Sequence, residues 1–507
     1  MRNLIVLFSV LYLATFSVFG QDNVLRFEIQ QARNANIHFD SVVISQASVD
    51  TVVFKHFVDT NEVFFLGNIS LDVKNNTVSA MNLTIPTKNN QNMILELVEV
   101  PEYFYDYKVV TSDGDTFPAN RDIKHYRGVV RGETNSLVAI TFYEDEIMGL
   151  VCTDEGNFNI VKDRLSGKHL FYNDKNLKEK PDMICTTEDD PSIEYDSVIL
   201  FSPRNNLKEE IAVTRSSILE KIVSFYVETE YDIYQARGSY SSVEAYISGL
   251  FNQVATLYRN ENIYTRVSTM YLWLSSSPYT GGSTGADTEV LLKQFQTERT
   301  SINGDLGMLL KFNDLSGGRA VVDGLCNSST KNKLGVSTLW EGSYATVPNY
   351  SRQVLVVTHE FGHLFGSKHT HDCVWNGNKT AIDGCGPNAG HPGDGNCTNP
   401  GNPPGGGTIM SYCDLSGFGL PGINFNLGFG TQPGNVIRNK VNNASCLCTV
   451  MFTDKTVTTN TTVTSQCNIY VKNVTVTNNK KLTLDAANET IIEGNFEVQA
   501  GSELEIK

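Results

Sequence analysis

Along residues 23–161 the apolar positions fall in short runs: Ser41-Val42-Val43-Ile44, Val63-Phe64-Phe65-Leu66 and Met93-Ile94-Leu95-Glu96-Leu97. Asn- and Asp-rich turns separate them, and runs of that length between turn residues predict β-strands. Residues 189–208 are acidic and weakly apolar, and read as a linker. Beyond Ser216 the period alternates. Residues 222–227, 266–274, 308–312, 319–325 and 335–340 predict strands. Between the first two, Ser241-x-x-Glu244 has the form of a capping box. Behind it Val243, Ile247, Leu250, Val254, Leu257 and Tyr258 keep helical spacing, and residues 288–300 and 351–365 predict two further helices. Strand and helix in alternation is α/β organisation. Residues 383–407 are rich in Gly, Pro and Asn, a loop longer than compact domains carry unless it is functional or cross-linked.

The end of the chain repeats. Val474 and Val476 recur as Phe496 and Val498, Leu482 and Leu484 as Leu504 and Ile506, and Ile469 as Ile491, each 22 residues on. Alternating β pairs at a fixed period predict a small solenoid stack, with fewer than three full repeats visible.

Length and composition sharpen this picture. At about 150 residues per domain, 507 residues make roughly three units. Hydrophobic residues at 40% and charged residues at 19% are globular proportions. The net charge of −16 offers no basic footprint, which argues against nucleic acid or anionic lipid as partner. Arg2, the apolar stretch 4–18, and the small Val18 and Gly20 before Gln21 read as a secretory signal peptide, and no later segment is apolar enough to span a membrane. Export makes disulfides the expected state of the ten cysteines. Seven of them fall between Cys326 and Cys448, which marks one stapled domain; Cys152 and Cys185 lie earlier and Cys467 later.

The chemistry concentrates in His359-Glu360-Phe361-Gly362-His363-Leu364-Phe365-Gly366-Ser367-Lys368-His369. On a helix His359 and His363 share a face and present imidazoles to one point, where zinc is the fitting metal. Glu360 is off that face, placed to take a proton from a water at the metal. Gly366 can adopt positive φ and end the helix, so that the chain returns His369 as a third ligand and leaves a fourth position open. His371 and His391 lack the offset of a ligand and read as structural or solvent-facing. Downstream comes Thr408-Ile409-Met410-Ser411-Tyr412-Cys413.

The long His motif followed by Met410 resembles the metzincin zinc endopeptidases, in which a Met-turn lies beneath the zinc. Within that clan residues 217–448 are most similar to the adamalysin, or reprolysin, group. His125-Tyr126-Arg127-Gly128-Val129-Val130-Arg131-Gly132 and Asn135-Ser136-Leu137-Val138-Ala139 are similar to reprolysin propeptides. The resemblance implies an α/β catalytic domain, a mixed twisted sheet with an active-site helix and Met-turn, over residues 211–450. A β-rich pro-domain and linker would occupy residues 21–210, a signal peptide 1–20 and a short all-β repeat module 451–507. It implies protein or peptide substrates, zinc as cofactor, and room for calcium with no ligand set marked here. It also implies that the substrate pairs with a sheet edge at residues 319–325. Cys326 would bridge to Cys446 or Cys448, and Cys373, Cys385, Cys397 and Cys413 would staple the Gly-rich loop.

Two features depart from the group. Adamalysins place Pro two residues after the Met; Tyr412 stands here, as in astacin- and serralysin-like enzymes, where it can contact zinc. Tyr412 therefore either supports the oxyanion or the metal, or packs beside the site. Pro181-Asp182-Met183-Ile184-Cys185 lies where adamalysin pro-regions carry a Pro-Lys-Met-Cys-type switch, with Ile184 inserted. Cys185 is thus either a latency switch for the open zinc position or the partner of Cys152 in a disulfide. The rival readings are an astacin- or serralysin-like metzincin and a non-catalytic secreted adhesion module with a relic zinc site; the latter sits poorly with an intact Glu360 and three His.

Overall fold

A computed structural model describes residues 23–67, 78–88, 91–179, 182–188, 192–203, 220–281, 287–313, 316–340, 347–415 and 418–507. The signal-peptide stretch 1–20, the boundary at 210 and much of the expected linker lie outside them. In the N-terminal region, nine strands among the described residues form one sheet, running from Asp40–Val43 at one end to Val63–Leu66 at the other. The two ends meet, since Ala47 N–H donates to Phe65 O at 2.8 Å and Gly67 N–H to Ser45 O at 2.7 Å. The sheet so closed holds Leu83, Leu95, Leu97, Val138, Ile140, Val151 and Ile160 inside. Its central strands Leu137–Tyr143, Glu146–Thr153 and Gly156–Lys162 are buried on both faces, the last with Asn157 and Asn159 among its buried residues. The outer face of the first two packs on the helix Tyr240–Asn260, and that of the third on the helix Tyr350–Leu364. The approach is close: a Cβ added at Gly249 would lie 2.8 Å from Met148 Sδ.

Four parallel strands form the middle of a second sheet, in the order Leu334–Trp340, Leu306–Asn313, Glu220–Thr229, Tyr264–Leu272. The strand Ser316–Ala320 adds antiparallel beside Leu334–Trp340. The predicted strand at 319–325 is thus displaced toward the N-terminus, ending at Ala320 before a turn in which Asp323 has φ +67°. The N-terminal region supplies a strand at each end of this sheet. Met183–Cys185 pairs parallel with Ser316–Ala320, and Lys108–Thr111 pairs parallel with Tyr264–Leu272. Two buried helices, Tyr240–Asn260 and Tyr350–Leu364, cover the sheet, with Phe361 stacked on Phe225 at 3.9 Å. The predicted capping box is not formed as read. Ser239 caps the helix by accepting from Ser242 N–H, and Glu244 instead accepts from Tyr107 Oη at 3.0 Å and Asn120 N–H at 2.7 Å.

The expected linker is not featureless. Ser197–Leu200 is a short helix that buries Leu200, and Tyr195 stacks on Trp375 at 4.8 Å. At the C-terminal end, Val450–Val457, Ile469–Val476 and Thr490–Val498 stack in parallel, as do Thr461–Ser465, Lys481–Ala486 and Glu503–Ile506, around Val471, Val474, Leu482 and Leu484. Val474 faces Phe496 and Leu482 faces Leu504, as the 22-residue period predicts, but Ile491 faces Tyr470, not Ile469. A register shift between Lys472 and Val474 absorbs the difference.

Candidate active site

The helix Tyr350–Leu364 begins at Asn349, whose side chain accepts from Arg352 N–H. It ends where Gly366, at φ +98°, turns the chain and donates to His363 O at 2.7 Å. Tyr195 secures this turn: its hydroxyl donates to Gly366 O at 2.7 Å and accepts from Lys368 N–H at 2.9 Å. The turn brings His369 back beside the helix. His363 Nε2 then lies 3.1 Å from His359 Nε2 and 3.2 Å from His369 Nε2. His359 Nδ1 faces Ile409 O at 2.7 Å and His363 Nδ1 faces Ser367 O at 2.8 Å. A carbonyl accepts only, so each of these Nδ1 atoms carries the proton and each Nε2 turns a bare lone pair inward. Lone pairs at that separation repel unless a cation lies between them. A tetrahedron with metal–nitrogen distances of about 2.0 Å has edges of about 3.3 Å, close to the observed spacing. Burial holds His359 down to about 4, and burial with the neighbouring imidazoles holds His363 and His369 well below the usual range, so all three stay neutral.

Cys185 completes the group. Its Sγ is 3.4 Å from His363 Nε2, and the four ligand atoms lie within 4.8 Å of one another. Neither Cys185 nor Cys152 is in a disulfide. Burial and then Glu360 push the Cys185 thiol up, a shift that a divalent cation at the histidines would reverse. The other His, Cys and carboxylate groups of three among the described residues are His369–His371–Asp372 and Asp383–Cys385–Cys413, neither of them the oxygen cluster calcium takes. His371 is buried and stacks on His369 at 5.1 Å, while His391 is exposed, 5.6 Å from the Tyr412 ring.

Glu360 is fully buried, and Thr187 Oγ1 donates to its Oε2 at 3.2 Å. The same hydroxyl accepts from Ala320 N–H at 2.9 Å. Each glycine of the edge strand makes room for a neighbour. A Cβ at Gly318 would stand 2.4 Å from Glu360 Cγ, and one at Gly317 would stand 2.3 Å from Ile184 O. Met410 is buried beneath the helix, where a Cβ at Gly362 would lie 2.5 Å from its sulfur. Tyr412 Oη donates to Cys185 O at 2.7 Å, and its ring lies 4.9 Å from that of His369.

Residues 219–419 match the family model Reprolysin_5, described as metallo-peptidase family M12. This region is a reprolysin-type M12 metallopeptidase domain. M12 peptidases are zinc-dependent and take protein substrates. Among solved structures, the chain is similar to metalloproteinase-II from Bacteroides fragilis, at 12% identity, with a TM-score of 0.36, covering 62% of this chain and 89% of that one. The disulfides of the M12 domain are Cys326–Cys446, Cys373–Cys397 and Cys385–Cys413, and Cys448–Cys467 ties it to the C-terminal stack. No helix among the described residues is long and apolar enough to cross a membrane.

Sequence reasoning missed Thr187, Gly317 and Gly318 as parts of this site. The only signals were a Thr-Thr pair after Cys185 and a Gly-Gly pair that reads as a turn.

Proposed function

We propose that the chain is a secreted zinc endopeptidase made as a latent precursor. Residues 1–20 are its signal peptide, 21–210 its pro-domain and linker, 211–450 its catalytic domain and 451–507 a β-rich repeat module. The observation that carries this reading is the convergence of three imidazole Nε2 atoms beside a buried carboxylate, with a thiol in the remaining position. His359, His363 and His369 would hold zinc, which would supply a Lewis acid for the scissile carbonyl and lower the pKa of a water to about 7. Glu360 takes a proton from the attacking water and hands it to the leaving amine. Met410 floors the site, and its neighbour Ile409 fixes His359 through its carbonyl. Tyr412, once freed from Cys185 O, has a hydroxyl to donate to the oxyanion. The substrate chain pairs with Ser316–Ala320, the edge that Met183–Cys185 holds in the precursor.

Latency then has two parts. Cys185 places sulfur in the open position, and Thr187 ties up the base. The test is casein hydrolysis by full-length protein and by full-length Cys185→Ser, each with and without chelator. The expected result is an inactive precursor with two unpaired thiols, and weak, chelator-sensitive activity in the variant, whose cleft still holds Thr187 and the strand at 183–185. A fully active wild-type precursor would overturn latency, and chelator-insensitive hydrolysis would overturn the zinc assignment.

A further inference from the structure

The edge strand offers a peptide little to distinguish it by, because Gly317 and Gly318 have no side chains. Arg319 is the exception. Its Nη1 donates to Thr186 O at 2.5 Å, and its Nη2 lies 2.8 Å from the Glu188 carboxylate. One guanidinium thus reads both the main chain and a side chain of the segment in the cleft. The Arg319 side chain is 14% exposed and that of Glu188 82%. The cation is built into the wall and the anion arrives with the occupant. Glu289, on the helix Asp287–Glu298 nearby, feels Arg319 but is hydrogen-bonded to Lys293. The guanidinium therefore keeps its charge for whatever fills the cleft. Its fork of N–H donors fits a carboxylate better than any neutral side chain.

We propose that Arg319 forms a subsite for acidic side chains, so that the processed enzyme prefers peptides with Asp or Glu where Glu188 now lies. This rests on the peptidase reading above. Glu188 is three residues from Cys185, so at about 3.3 Å per residue the favoured carboxylate sits about 10 Å from the metal position. A substrate of the opposite polarity would reach the same place from the other side of its scissile bond.

The experiment uses processed enzyme and fluorogenic peptides carrying Glu, Gln or Lys at each of about four positions on both sides of the bond. At one position Glu should raise kcat/KM over Gln by about 2- to 5-fold, the range of a solvent-exposed ion pair. That preference should shrink with added salt, a readout that needs no variant. Arg319→Gln should abolish it, Arg319→Lys should keep part of it, and Arg319→Glu should turn it toward Lys. An acidic preference that survives Arg319→Glu, or none at any position, overturns the subsite and leaves the peptidase reading standing. Failure of the wild type to cleave any peptide or casein overturns both.

Discussion

At Glu360 one carboxylate oxygen accepts from Thr187 and the other lies over Gly318. The grouped ligand atoms belong to Cys185, His359, His363 and His369 and not to Glu360, so its loss should not empty the site. Glu360→Ala in processed enzyme is expected to keep one zinc per chain while kcat falls by about 10²–10⁴-fold or more. Metal analysis beside a rate assay checks this; a variant that loses its zinc would make Glu360 a ligand. Tyr412 is a different case. Its hydroxyl is already committed in the full-length chain, to Cys185 O. Tyr412→Phe in processed enzyme is expected to lower kcat with KM little changed, and an unchanged kcat would leave Tyr412 a packing residue. The His motif was legible because its three His fall within eleven residues, and Met410, 48 residues beyond Gly362, was legible only through the family resemblance. Thr187 and Glu360 are 173 residues apart and Arg319 and Thr186 are 133 apart, and no local pattern announces such pairings.

At the scale of elements, the active-site helix depends on how it stops. Gly366 at φ +98° both ends it and aims His369. Gly366→Ala is expected to cost about 1 kcal/mol of stability and to weaken zinc binding, read by melting and by chelator competition. The edge strand depends on its glycines in another way. Gly318→Ala puts a methyl group into Glu360, and kcat is expected to fall roughly 10²-fold with zinc content unchanged. These elements were legible to different depths. The helices and inner strands follow from periodicity. The edge strand was placed late because a Gly-Gly pair reads as a turn, and here each glycine instead makes room for a neighbour. The capping box failed because Glu244 is drawn to Tyr107 and Asn120, contacts more than a hundred residues away in sequence. In the C-terminal stack the first rung escaped notice because Val450 faces Ile469 and Thr461 faces Leu482, spacings shorter than 22 residues.

Over the whole molecule, the N-terminal sheet and the M12 domain share one core, and buried polar groups cross between them. Asn159 Oδ1 accepts from Ser351 N–H at 2.7 Å, Asn157 Nδ2 donates to Ile423 O at 2.8 Å, and Arg127 Nε donates to Asn252 Oδ1 at 2.9 Å. The N-terminal sheet also buries two neutral histidines. Burial holds His125 down to about 3 and His169 down to about 4. Both values lie below the usual 6.5 of the unfolded chain, so below that pH the unfolded state binds the extra protons and stability falls with pH. The loss is on the order of 1 kcal/mol per histidine for each pH unit, and it levels off near the folded values. Melting of the precursor between pH 7 and 4 should show this slope, and His125→Gln should flatten it. Equal slopes in variant and wild type would place the acid sensitivity elsewhere.

The strand that the N-terminal region contributes at each end of the catalytic sheet separates cutting from release. A protease that severs the chain between Cys185 and Glu220 removes one covalent link and none of the clasp. On the proposed reading the two pieces should remain a tight non-covalent pair, and the nicked molecule should stay silent. Activity should then emerge with a lag set by dissociation, shorten on dilution, and vanish again when the excised piece is added back in trans. The precursor would carry its own dissociable inhibitor, and a second cut that destroys the piece would be what makes activation one-way.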